Sequence, residues 1–331
     1  MKFTMFRNFL YGLILTLVII VLSFAYLSYK YIPKDVLEIV GALEWKYFSY
    51  TLFTLFLYHT FDTLRVIIIA RAIGVNYSLW YGYLVSFTNT FGATITPAHL
   101  GGEVLPLYTL SRRGGQFYQI MTIVTMKGVS GFLFYVIFFP LTLQALIKDT
   151  RQMKEFGLIV GALLVFSLLV YILYRILLVR TTKEKGNFLY KLRRTLLRYL
   201  VTCRIFIRTQ KLTFLIALML SILLYFSFLF MGIFLVKAFN PQANLKEVFL
   251  DQLPLLYAIF ISPTPGGSGV GELGALPIFS PHLEGESLGV FVILWRILSQ
   301  YLSAFIGGLI FVFFLLTDIL KSKNKWPSGN T

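Results

Sequence analysis

A single cysteine, Cys203, stands in 331 residues, so the chain holds no internal disulfide and no cysteine-built metal cluster. Charge is scarce too: Asp, Glu, Lys and Arg make up 13% of the chain, against roughly a quarter in soluble domains. There is no G-x-x-x-x-G-K-[ST] phosphate loop, so this chain does not hydrolyse ATP through one. H-E-x-x-H and G-x-S-x-G are also missing, and no cofactor or metal is expected. These shortages exclude a soluble enzyme, a disulfide scaffold and a disordered chain. What fills the space is apolar: 57% of residues are AVILMFWYC, 17% are aromatic, and the mean hydropathy is +0.78. Such a chain is an all-α polytopic membrane protein. Its 30 Lys and Arg outnumber 14 Asp and Glu, giving +16. In a membrane chain that excess follows from the positive-inside bias and anionic lipid, so no nucleic acid is expected as a partner.

A transmembrane helix needs about 20 apolar residues. Six segments qualify: 9–29, 48–70, 117–147, 156–179, 212–239 and 288–317. The first is too long for a signal-peptide core and ends without a small-residue cleavage site, so we read it as a retained anchor. Two further apolar segments, 81–98 and 248–262, are short and run into glycine-rich stretches, "TPAHLGGEVLPLYTLSRRGG" and "SPTPGGSGVGELGALP". Each reads as a full span or as a re-entrant hairpin, and charge arbitrates. With both taken as re-entrant, eighteen basic residues fall on the side of the N-terminus and seven on the other. Counting 81–98 alone as a span would turn the basic loop 180–211 outward, which the positive-inside rule disfavours. The reading is six full spans plus two re-entrant hairpins, with both termini cytoplasmic in the cell membrane.

The order span, span, hairpin, span then occurs twice in opposite orientations. Residues 1–155 form the first repeat, with its hairpin at 81–115; residues 156–331 form the second, with its hairpin at 248–280. Inverted repeats of this kind frame midplane sites in secondary transporters. Gly102-Glu103 in one hairpin matches Gly271-Glu272 in the other, and Thr-Pro precedes each glutamate. Lys127 follows Glu103 and Arg296 follows Glu272, both by 24 residues, and Arg65 and Lys237 lie late in the span before each hairpin.

A charge at the centre of a span costs about 2.5–3.5 kcal/mol on insertion scales. Lys127 and Arg296 are the hardest to explain, and Glu103 and Glu272 are their obvious counter-charges. Each pair either locks hairpin to helix or lines a polar cavity and exchanges with a charged substrate. Asp62 and Arg65, with His59 one helical step before, read as a local pair whose arginine snorkels to the interface. The glycines Gly266, Gly267, Gly269 and Gly271 either permit a tight turn or turn backbone amides toward an anion such as phosphate. In the basic loop, Leu189, Leu192, Leu196, Leu200, Cys203 and Ile207 share a helical face opposite Lys191, Arg194, Arg198 and Arg208. That helix is expected on the cytoplasmic leaflet, drawn to anionic lipid.

At "TPAHLGGE" with "SRRGG", and at "SPTPGGSGVGE" with "LWRILS", the sequence resembles the flippase-like transmembrane domain family of lysylphosphatidylglycerol synthases, as a stand-alone member without the synthase domain. The likeness covers nearly the whole chain. His99 stands where an arginine is common in the family, and Pro106 where one often follows the GE. The resemblance implies movement of a phospholipid, aminoacylated phosphatidylglycerol or another anionic or zwitterionic lipid, between leaflets. The buried charges, the glycine turn and this resemblance together give the candidate substrate contacts Glu103, Lys127, Gly266, Gly267, Gly269, Glu272, Arg296, Arg65, Arg112 and Arg113. The partners expected are the phospholipid, anionic lipid of the cytoplasmic leaflet, a second copy in a homodimer and a separate lipid-synthesising enzyme. A transporter of a small soluble anion and a membrane-embedded lipid-modifying enzyme are the alternatives; the expectation is that the chain is not an enzyme.

Overall fold

The computed structural model describes residues 36–96, 99–146, 188–283 and 285–323, with single positions at 18, 21, 22, 25 and 29. The expected span 156–179, the repeat boundary at 155 and most of the expected span 9–29 lie outside these residues. Among the described residues every regular element is a helix. After a short α1 (Val36–Gly41) come α2 (Trp45–Ala72), α3 (Leu79–Ile95), α4 (Gly101–Ser111) and α5 (Phe117–Leu146). Then follow α6 (Phe188–Thr209), α7 (Lys211–Phe239), α8 (Leu245–Ile261), a 3-10 turn (Pro265–Gly267) and α9 (Val270–Phe279). The described residues close with α10 (Gly285–Arg296), a π-helical turn (Ile297–Tyr301) and α11 (Leu302–Lys323).

Four described helices are long and apolar enough to cross a membrane: Trp45–Ala72, Phe117–Gln144, Lys211–Phe239 and Ser287–Lys321. They match the expected spans 48–70, 117–147, 212–239 and 288–317, the last being interrupted by the π turn. Helix α2 holds neither glycine nor proline in its 28 residues. Its Thr51 and Thr54 hydroxyls donate to the carbonyls of Tyr47 and Tyr50, which lets hydroxyls sit in an apolar helix without an orphaned group. Phe53, Phe56, Val136, Met219, Phe305 and Phe313 are exposed on these helices, as lipid-facing positions should be.

The segments 79–111 and 245–279 are built alike. Ser78 and Asn244 cap α3 and α8, each accepting a backbone N–H with its side chain. Both helices run 17 residues, about 26 Å at 1.5 Å per residue. Each stops at a residue preceding proline, Thr96 and Ser262, held in extended backbone because proline disfavours helix before it. The chain then turns back. Tyr81 near the start of α3 donates to the carbonyl of Thr109 near the end of α4 at 2.6 Å, so the two helices are antiparallel.

Helices α2 and α7 form the largest helix contact of the described fold, and α11 packs along α3. In lipid, helices gain no hydrophobic free energy from one another, so close approach and dispersion hold them. At Gly307 of α11 a Cβ would come within 2.0 Å of the Phe87 carbonyl oxygen, which fixes the distance to α3. Aromatic contacts fill the remainder, such as Phe134 stacked on Tyr225 at 4.5 Å.

The basic helix α6 differs from expectation. Its Tyr199 and Cys203 face α5, where they meet Thr125 and Thr122. Phe206 is buried, whereas Ile207, expected on the same apolar face, is exposed. Only part of its apolar surface packs on α5, since Leu197, Val201 and Ile205 are exposed as well, and Arg194 and Arg198 turn outward; the side chains of Leu189, Leu192 and Lys191 lie outside the described residues. A cleft of about 810 Å³ lined by Gln116, Tyr118, Arg194, Arg198 and Thr202 opens where α6 meets the start of α5.

Candidate functional site

The second hairpin turns on three glycines with positive φ: Gly266 at 59°, Gly267 at 66° and Gly269 at 83°. Only glycine adopts that backbone cheaply, so the PGG-x-G sequence is what shapes the turn. Gly269 caps α9 and Glu272 stands at its N3 position. One carboxylate oxygen, Oε2, accepts the Gly269 N–H at 2.5 Å. The other, Oε1, accepts Arg296 Nε at 3.0 Å and the Tyr301 hydroxyl. Arg296 also donates through Nη2 to the Gly266 carbonyl at 3.2 Å. Both charged side chains are sealed in, Glu272 at 0% and Arg296 at 1% exposure. A buried pair is better tolerated when further hydrogen bonds serve its members, and here the Gly269 N–H, the Tyr301 hydroxyl and the Gly266 carbonyl do so. Gly271 completes the fit, since a Cβ there would lie 2.6 Å from Arg296 Cζ.

The π turn begins directly after Arg296. Such turns interrupt α-helices mostly as single wide turns and are frequent at functional sites. Here it sets the Tyr301 ring 5.2 Å from Arg296 Cζ while the hydroxyl reaches Glu272.

The first hairpin repeats the plan more loosely. Glu103 is again at the N3 position, counted from the cap residue Leu100 of α4. Lys127 Nζ lies 3.1 Å from Glu103 Oε1 and 3.5 Å from the Gly102 carbonyl. Lys127 is 12% exposed and Glu103 is 43% exposed as side chains. The other carboxylate oxygen, Oε2, is buried and has no hydrogen-bond partner among the described residues. The two hairpin turns meet: Gln300 of the π turn donates to Thr94 Oγ1 of α3 at 2.6 Å, and the Gly266 position lies against the Thr94 backbone.

Other expected site residues fall elsewhere. Arg112 pairs with Asp318 at 3.0 Å, bonds Thr317 at 3.1 Å and covers the Phe314 ring, while Arg113 covers Tyr81. Both follow the far end of α4, about 14 Å along the helix from Glu103, and are not brought to either ion pair. Arg65 does pair locally with Asp62, at 2.6 Å, but it does not snorkel: it is 5% exposed and bonds Ser221 of α7 at 3.2 Å. Its expected counterpart Lys237 instead ends α7, bonded to the Pro241 carbonyl at 2.8 Å. The sequence reading passed over Tyr301, Gln300, Thr94 and Asn89. Asn89 is buried, and neither amide atom has a hydrogen-bond partner among the described residues. An amide in an otherwise apolar run was the available signal for Asn89 and Gln300. Nothing in the sequence marks the π turn that delivers Tyr301.

Residues 10–307, spanning both hairpins and all four charged partners, match the family described as Lysylphosphatidylglycerol synthase TM region. The chain belongs to that family. A relative in Archaeoglobus fulgidus, described as a UPF0104 membrane protein, is 23% identical over 265 residues, covering 74% of this chain and 80% of its own. This member of the lysylphosphatidylglycerol synthase TM family is thus a helical membrane protein of a lipid-related type, with one ion pair at each of its two hairpin turns.

Proposed function

We propose that the chain is a membrane lipid transporter that moves a phospholipid between leaflets of the cell membrane, rather than an enzyme. The reading rests on one observation above others: the Glu272 carboxylate occupies a ready anion site. A backbone amide, a guanidinium and a phenol converge on it. A phosphate diester offers the same two-oxygen face, and Arg binds such faces in a two-pronged fork. In the absence of lipid, Glu272 fills the site; an arriving headgroup phosphate replaces it, exchanging one anion for another. Glu103 and Lys127 present the corresponding pair in a half-open state, ready to receive the cationic part of a zwitterionic or aminoacylated headgroup. Acyl chains remain in the bilayer throughout.

In this proposal the hairpins are re-entrant and the fold is the inverted repeat of six spans. The 17-residue arms fall short of a hydrocarbon core of about 30 Å, and the returning helices of 11 and 10 residues are shorter still. Rocking of one repeat on the other would alternate which pair is sealed. Both termini and the basic helix then face the cytoplasm, where Arg194 and Arg198 meet anionic lipid. A homodimer and a separate enzyme supplying the lipid are compatible partners.

Binding tests the site. Purified protein should bind vesicles or micelles containing phosphatidylglycerol more tightly than those containing a cation-only lipid, and Arg296→Lys should erase the preference despite keeping the charge. Equal binding of both lipids, unchanged by Arg296→Lys, would end the proposal. Binding of free inorganic phosphate but not of phosphatidylglycerol would point to a small soluble anion as cargo.

A further inference from the structure

A second buried polar system lies between α2, α3, α7 and α11, and neither ion pair at the hairpins uses it. His59 and Asp62 occupy successive turns of α2 and are buried at 3% and 8% exposure. His59 Nδ1 lies 3.0 Å from Ser86 Oγ on α3, and Ser86 Oγ donates to Asp62 Oδ2 at 2.7 Å. On its other side, His59 Nε2 lies 2.8 Å from Ser303 Oγ on α11. Asp62 Oδ1 takes Arg65, and Arg65 crosses to Ser221 of α7, which donates on to Ser130 of α5. A serine hydroxyl has one proton. Ser86 spends it on Asp62, so His59 must donate from Nδ1, and the neutral ring accepts the Ser303 hydroxyl at Nε2.

The chain His59–Ser86–Asp62 is therefore an unbroken proton path between an imidazole and a carboxylate. Other charged and titratable groups surround it from each packed element. Arg65 and Tyr58 stand on α2 itself, and Tyr77 just before α3. Lys127 approaches from α5, and Tyr225 of α7 lies close to Asp62 and Arg65. Ser303 is the contact from α11, and the Phe87 ring of α3 stacks on His59 at 4.1 Å. Buried ionisable groups in membrane helices carry a cost and commonly mark ion and proton pathways.

We propose that His59, Ser86 and Asp62 form a proton-binding site coupled to the hairpin site. A proton arriving at His59 Nε2 is balanced by a shift along the chain: the Nδ1 proton passes to Ser86 Oγ as the Ser86 proton passes to Asp62 Oδ2. The ring ends neutral with its proton on Nε2, Asp62 ends neutral, and one proton has been bound. Two contacts change as a result. Arg65 loses its counter-charge, loosening the bond to Ser221 across the α2–α7 interface. Nε2 becomes a donor to Ser303, which sits two residues beyond Tyr301 and the π turn. Proton binding thereby acts on the segment that holds Tyr301 against Glu272 and on the packing between the halves of the molecule. The coupling to lipid movement rests on the transport reading; the proton site does not.

The 331-residue chain with 15N-labelled histidine separates the two. It has three histidines, and His59→Gln assigns the signal of interest. Acidification from about pH 8 to well below the ordinary histidine value of about 6.5 should convert His59 from the Nδ1–H to the Nε2–H pattern. Asp62→Asn should abolish the conversion, and Ser86→Ala, which keeps every charge, should do the same if Asp62→Asn fails to fold. One fixed tautomer throughout, or an unchanged conversion in the variants, overturns the proton site. In proteoliposomes, a one-unit pH gradient should shift the leaflet distribution of phosphatidylglycerol up to about tenfold per proton, and Asp62→Asn should lose the response. Lipid movement indifferent to the gradient overturns the coupling. A tautomer change without any lipid movement in the wild type would leave the proton site standing and sink the transport reading instead.

Discussion

Replacing Glu272 by glutamine keeps the side chain's shape and removes its charge. The amide oxygen would still accept Arg296 Nε and the Tyr301 hydroxyl, but the amide nitrogen would face the Gly269 N–H across 2.5 Å, donor against donor. Arg296, 1% exposed, would be left without a counter-charge. Breaking a buried pair from one side costs about 3–5 kcal/mol, a hundredfold or more in the folded ratio. If the pair served only to lock α9 to α10, that loss would be permanent. If Glu272 holds the place of a lipid phosphate, an anionic lipid should recover most of it by taking the vacated donors. Unfolding of the purified variant in nonionic detergent, with and without phosphatidylglycerol, distinguishes the two. Phosphatidylglycerol should stabilise Glu272→Gln more than the wild type, because the internal competitor is gone. Equal stabilisation of both proteins, or none of the variant, would refute the reasoning.

Lys127→Ala should cost about 1 kcal/mol or less, because Glu103 is 43% exposed and can solvate, whereas Arg296→Ala should cost about 3–5 kcal/mol; chemical unfolding of the two variants gives the comparison. Gly307→Val should destabilise by about 1–3 kcal/mol or more, since its Cβ would meet the Phe87 carbonyl at 2.0 Å and push α11 from α3, which thermal unfolding will report. In a Cys203→Ser background, a cysteine at Ser111 should react with impermeant reagent only from the cytoplasmic side and one at Ser280 only from outside. Labelling of both from one face would end the inverted arrangement.

The ion pairs were legible in sequence because charge in an apolar helix is rare and must be neutralised. Glu103 with Lys127 and Glu272 with Arg296 share one spacing, and each pair closes to about 3 Å. The 17-residue helices were legible as the short apolar runs 81–98 and 248–262 leading into glycine-rich stretches, whereas their caps and the stop of the first before Pro97 were not. Burial was not legible. The same N3 glutamate is sealed in one hairpin and half open in the other, and that difference comes from the π turn bringing Tyr301 over Arg296. Arg112 and Arg113 were drawn into the site by the resemblance at "SRRGG", but the length of α4 carries them to its opposite end. His59, Ser86, Ser221 and Ser303 lie on four different helices, so no sequence spacing joins them. Only packing does.

Leaflet-resolved translocation in proteoliposomes tests the central claim most directly. Wild-type protein should move labelled phosphatidylglycerol between leaflets faster than protein-free vesicles do. Folded Arg296→Ala and Lys127→Ala, checked by unfolding in the same detergent, should each lose that activity. Wild-type protein that moves no lipid above the protein-free rate, or folded variants that move it at the wild-type rate, would contradict the account.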